Sequence, residues 1–132
     1  MRIKDYKSIC NVTNPADIAA ALQRRHGAGR NAFWLSYGSD LHPAISILVS
    51  GDLAYVHYFP DDDHPGFASV GNLPGLRVGE FSEFFPEQSN DSFDIMNEAV
   101  IPFSDALKVA QEFASSPTMP KCIGWNSLVE GE

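Results

Sequence analysis

Ala44-Ile45-Ser46-Ile47-Leu48-Val49-Ser50-Gly51-Asp52-Leu53-Ala54-Tyr55-Val56-His57-Tyr58-Phe59 is the stretch on which the fold turns. Ala44 to Ser50 and Leu53 to Phe59 are rich in β-branched and aromatic side chains, which suit a pleated surface. Between them Ser50-Gly51-Asp52 predicts a tight hairpin, with glycine supplying a positive φ. Strand alternation puts Tyr55, His57 and Phe59 on one face and Tyr58 on the other, so His57 reads as a partly buried packing residue.

Working outward, Phe33 to Tyr37 predicts a strand before this hairpin. Phe67 to Val70 predicts another after the Asp61–Gly66 turn. Asn14-Pro15-Ala16-Asp17 is a helix start: Asn14 caps, Pro15 loses nothing in the first turn, and Asp17 faces the positive helix end. Ile18, Ala21 and Leu22 form its apolar stripe, Arg24, Arg25 and His26 its last turn, and Gly27 or Gly29 its stop. A second helix fits Phe103 to Ser115, with Ser104 as cap, Leu107, Ala110, Phe113 and Ala114 on one face, and Pro117 closing it. Lys121 to Trp125 reads as a last short strand. Asn72 to Asp94 reads as a long irregular loop pinned by buried Phe81 and Phe85; ordered loops of that length are more often functional than idle. This order predicts an α+β fold: an antiparallel, curved sheet with two helices on one face, a single domain over residues 1–132.

With 44% apolar and 20% charged residues in 132, the chain has the composition of a globular protein rather than a disordered one. Its net charge is −8, unevenly spread: residues 1–30 carry +4 and residues 31–132 carry −12. Such an acidic stretch argues against binding phosphate backbones, which takes Lys and Arg to displace counterions. It suits a basic protein partner. Cys10 and Cys122 are too few for a disulfide framework and read as free thiols in a reducing cytosol. The most apolar stretch, Ala44 to Val49, is too short to span a membrane.

The tests for catalytic and metal chemistry come out negative. Counting a calcium loop from Asp61 puts Pro65 at the fifth position and Asn72 at the twelfth, where oxygen ligands and a carboxylate belong. His26, His42, His57 and His64 have no zinc-like spacing with either cysteine. Gly27-Ala28-Gly29-Arg30-Asn31-Ala32 loosely fits a dinucleotide fingerprint but follows a helix and leads into a strand, the reverse of what phosphate binding requires. Ser69 sits one residue out of the nucleophile-elbow pattern, and Pro120-Lys121-Cys122 lacks the second thiol of a deaminase signature. The expectation is no enzyme, no cofactor and no metal, with Trp34 and Trp125 as core. Two other readings stay open: a small-ligand-binding module around Trp34, Tyr55 and Tyr58, and a small hydrolase built on His57 and a carboxylate.

From Gly51 onward the chain resembles the Imm1 family of bacterial immunity proteins. The likeness is carried by Gly51 to Phe59, His64-Pro65-Gly66-Phe67-Ala68-Ser69-Val70-Gly71, and Ala99-Val100-Ile101-Pro102. Ala106-Leu107, Glu112-Phe113 and Pro120 through Trp125 complete it. It departs at Ser115-Ser116-Pro117-Thr118-Met119-Pro120, where such proteins tend to place a glycine before the proline. The resemblance implies a non-enzymatic α+β domain with a cognate protein toxin as partner, often a nucleic-acid deaminase or nuclease. With the charge, hydropathy and cysteine readings, the expectation is a cytoplasmic monomer or weak dimer that binds neither nucleic acid nor membrane. The expected toxin contacts are Asp61, Asp62 and Asp63 on the turn, and Glu80, Glu83, Phe84, Phe85 and Glu87 in the long loop.

Overall fold

A computed structural model describes residues 1–37 and 41–129. Residues 38–40 and 130–132, part of the expected domain, lie outside the described residues. The architecture is α+β: the described residues form two α-helices and an antiparallel eight-stranded sheet. The quoted stretch forms β4 (Ala44–Ser50) and β5 (Leu53–Phe59), paired in register from Ala44–Phe59 to Ser50–Leu53. Gly51 turns the chain with φ +60°.

On the other side of β4 lies β3 (Arg30–Ser36), then β1 (Arg2–Lys4) and finally the edge strand β2 (Ile9–Asn11). Beyond β5 lie β6 (Phe67–Val70) and the edge strand β10 (Gly124–Ser127), while β9 (Ile101–Pro102) pairs with Leu53 and Ala54. Strands β1, β2 and β9 were not expected. Two or three residues are too few to display an alternating pattern, so only their pairing partners define them.

Helices α1 (Pro15–Leu22) and α2 (Phe103–Ser115) cover one face. Their Ile18, Ala21, Leu22, Val109, Ala110 and Phe113 pack with Phe33, Leu35, Ile45, Ile47, Val49, Val56 and Tyr58 of the strands in one core. The α1 start is as expected: the Asn14 side chain accepts from the Asp17 N–H at 2.9 Å, and Pro15 opens the helix. Its end is a turn earlier than expected. Arg25 donates to the carbonyls of Leu22 and Arg24 and the amide of Asn31 donates to that of Arg24, so these acceptors are satisfied without another helical turn. Ser104 makes no cap; Pro102 occupies the cap position, and the Phe103 N–H instead donates to the Asp52 carbonyl at 2.8 Å.

The expected irregular loop is corrected in its second half. Phe81–Phe84 (β7) and Phe93–Met96 (β8) form a separate two-stranded antiparallel ribbon. Two glycines of the Imm1-like stretch hold this side of the molecule together. Gly66 has φ +100°, and a Cβ there would meet the His57 ring at 2.3 Å. At Gly71 a Cβ would lie 1.7 Å from the Val100 carbonyl oxygen, because the Gly71 N–H donates to the Glu98 carbonyl at 2.7 Å. Gly71→Ala must therefore push two backbone segments apart. We expect it to lower the unfolding free energy by roughly 1–3 kcal/mol, the range of core overpacking, measured by urea denaturation.

Candidate partner-binding surface

The face of the sheet turned away from the helices carries the second cluster. Leu48 of β4 would be an exposed leucine on a bare sheet, but Phe84 and Val100 close over it and all three are buried. Leu53, Tyr55, Leu73, Leu76 and Ile95 pack around them. The β7–β8 ribbon is thus fastened by Phe84 and Ile95 on one side of its alternation, while Phe93, opposite Phe84, is exposed. The other side looks outward, where Phe81 stands opposite Met96 and Glu83 opposite Asp94. All four are exposed, Phe81 at 60% and Met96 at 52%.

This alternation corrects two expectations. Phe81 is an exposed side chain rather than a pin for the loop. Phe84, expected as a contact, is 0% exposed and is itself the pin. Phe85 is buried as expected, but by a different device. The Arg30 guanidinium lies 3.5 Å over its ring, and the Tyr6 hydroxyl donates to its backbone carbonyl. Tyr6 is in turn tied to buried Asn31, whose side-chain oxygen accepts from the Tyr6 N–H at 3.3 Å and whose amide donates to Asp5 at 3.2 Å. Burial tends to raise the Asp5 carboxyl pKa, yet hydrogen bonds from Lys7, Asn31 and Ser8 outweigh it and hold the group at about 2.

The remaining expected contacts fall into two places. Glu80, Glu83 and Glu87 belong to the ribbon and its flanks, all exposed; Glu80 is 3.8 Å from Arg77, and Glu87 rims the hollow beside Tyr6, His26 and Arg30. Asp61, Asp62 and Asp63 are exposed on the β5–β6 connection, which leaves the sheet at the Ala44–Phe59 end. Asp61 accepts from the N–H groups of Asp63 and His64, and Asp62 lies 2.9 Å from His42. Glu80 and Glu83 thus lie at and on β7, Glu87 beyond its end, and the three aspartates on the β5–β6 connection. Sequence reading did not single out Asp94 or Met96, which stand opposite Glu83 and Phe81 on the ribbon. One available signal was compositional: from Val78 to Leu107 there are seven acidic residues and no Lys, Arg or His.

The ligand-module reading required Trp34, Tyr55 and Tyr58 to share a pocket. The sheet separates them: Tyr58 is buried among the helices, whereas Trp34 and Tyr55 lie on the opposite face. There Trp34 packs on Phe59 with ring centres 5.3 Å apart, and His57 stacks on Phe59 at 3.9 Å. His57 is half-buried as expected, and burial pushes its pKa down against the opposing hydrogen bond to the Pro65 carbonyl. Among the described residues no carboxylate comes within ion-pair distance of His57. Both cysteines are free, and no helix among the described residues is long and apolar enough to cross a membrane.

The described residues thus form two helices against a large antiparallel sheet, with a separate ribbon whose outward row is acidic and apolar. The family profile described as immunity protein Imm1 matches residues 8–127, and the chain belongs to that family. A search of curated proteins finds no match.

Two measurements check how this surface is held. Phe84→Ala should lower the unfolding free energy by about 3–5 kcal/mol, as for other large core truncations, while exposed Phe81→Ala should stay within about 0.5 kcal/mol. Asp5 has a folded-state pKa depressed from 3.8 to about 2, so its stabilisation is present above pH 4 and is lost as pH falls from about 4 to 2. An acid-unfolding titration should show this limb in the wild type and a flatter one in Asp5→Asn.

Proposed function

We propose that the protein is a cytoplasmic, non-catalytic bacterial immunity protein that binds a co-encoded toxin and blocks it with an acidic surface. Its membership of the Imm1 family supports a toxin partner. The observation that carries the acidic-surface reading is the outward row of the β7–β8 ribbon, Glu83 against Asp94 and Phe81 against Met96. Like charges directly opposed across strands are unfavourable in the free protein, and two large exposed apolar side chains add nothing to its stability. Both features become favourable when a basic, partly apolar surface covers them: the carboxylates meet cations and the apolar pair loses its water.

A toxin that acts on nucleic acid presents such a surface, since its substrate is a polyanion. The proposed contacts are Glu80, Glu83 and Glu87 on the ribbon side, joined by Asp94, and Asp61, Asp62 and Asp63 as a second acidic point. Opposed fields of this kind raise association rates above the ~10⁵–10⁶ M⁻¹s⁻¹ of neutral pairs.

The experiment is affinity capture with the tagged protein from its native lysate at low and moderate salt, read by mass spectrometry. One stoichiometric basic partner encoded beside this gene supports the reading. No specific partner, with the toxin expressed, overturns it. With that toxin in hand, the pair Glu83→Lys and Asp94→Lys should slow association about tenfold at low salt and converge on wild type at high salt. Replacing Asp61, Asp62 and Asp63 together with Lys should also slow association; an unchanged rate at low salt takes that turn out of the interface.

A further inference from the structure

Behind the ribbon the chain leaves a second feature that charge alone does not explain. Beside β8, residues of β6 and β10 line with it an open groove of about 490 Å³. Tyr55, Ala68, Val70, Ile95, Met96 and Leu128 are among its apolar lining. Val70, Met96 and Leu128 are 49%, 52% and 40% exposed, so three of the large apolar side chains that the fold leaves in water converge on one place. Met96 also joins this groove to Phe81, its cross-strand neighbour on the ribbon.

The rim has one sign. Asp94 and Glu98 line it and no Lys, Arg or His does. Glu98 is fixed there, its side chain accepting from the Gly79 N–H at 2.9 Å and its backbone carbonyl from the Gly71 N–H at 2.7 Å. Glu98 thus needs little ordering to meet a cation. By contrast, the hollow beside Tyr6 and Arg30 is smaller, about 340 Å³, and is lined by cationic Arg30 as well as Glu87.

We infer that this groove is the anchor site for the toxin, taking one or two apolar side chains of a toxin segment that carries Lys or Arg next to them. The inference rests on the immunity reading and specifies the chemistry of its interface. The volume falls within the ~300–1,000 Å³ range of sites that enclose compact apolar groups. Its walls are already large apolar side chains, so the occupant removes water from both partners. The flanking cations meet Asp94 and Glu98, which places the strong contacts inside an acidic margin rather than at its centre. The two components then divide the kinetics. Acidic residues set the rate of encounter and its salt dependence; the groove sets the lifetime of the complex.

The test uses the full chain and the toxin domain encoded beside its gene, purified in an inactive form. The groove is made polar without changing its charge by combining Val70→Thr, Met96→Gln and Leu128→Gln. These positions are exposed, so the variant should melt with the wild type, and the melting curve is measured first. The expected result is dissociation at least tenfold faster at both low and high salt, with association nearly unchanged. Wild-type kinetics in a folded triple variant overturn the groove assignment and leave the immunity reading standing. Failure of the wild type itself to bind that toxin overturns both. If sedimentation instead shows concentration-dependent self-association that the triple variant loses, with toxin binding intact, the groove belongs to a second copy of this chain and the assignment fails.

Discussion

The burial of Leu48 on the face away from the helices is the constraint from which the rest of this surface follows. A central strand in an antiparallel sheet can leave one face wet, and β4 does not: Ile45, Ile47 and Val49 meet the helices while Leu48 points the other way. Covering Leu48 requires apolar side chains from outside the main sheet, and Phe84 and Val100 provide them. Because strand side chains alternate, putting Phe84 inward obliges Glu83 to point outward. The acidic residues are therefore displayed as a consequence of packing on the reverse side of the same short strand.

That ribbon would be a marginal element alone, since two strands rarely hold together in water. Here it is secured on several sides: by Phe84 in the second core, by Arg30 and Tyr6 on Phe85, and by the Asn97 N–H, which donates to the Glu80 carbonyl at 3.0 Å. The cations of the first thirty residues are partly spent on this work. Arg30 stacks on Phe85 beside the ribbon, while Arg25 stacks on Phe103 at the start of α2, so two of the six Lys and Arg residues there serve as packing groups. The positive and negative portions of the chain do not simply neutralise one another: Arg30 is engaged with the Phe85 ring. A rigid display of this kind lowers the cost of ordering an interface when a partner arrives.

The Imm1 family gives the partner class, and the geometry gives the chemistry that such a partner would need. An acidic surface by itself would attract many basic proteins, nucleic-acid-binding ones included. Discrimination requires shape as well as charge, and the groove between β8 and the β6–β10 edge supplies an apolar contour beside the carboxylates. In general, charge acts during diffusion and shape after contact.

Sequence alone determined the long elements. The alternation from Ala44 to Phe59, the capped start at Asn14 and the apolar stripe of Phe103–Ser115 each run long enough for their period to be read, and the ordered motifs from Gly51 to Trp125 carried the family. It also determined that the chain is strongly acidic after residue 30. Tertiary structure decided what short segments could not express. In Phe81-Ser82-Glu83-Phe84 either phase of a four-residue strand would look the same, and only contact with Leu48 selects Phe84 for burial and Phe81 for exposure. Likewise the sequence counts Asp61–Asp63 and the glutamates as one acidic population, while the structure puts the first on the β5–β6 connection and Glu83 on β7. The reason is physical: periodicity is a local property of one chain segment, whereas burial depends on which distant segment arrives to cover it.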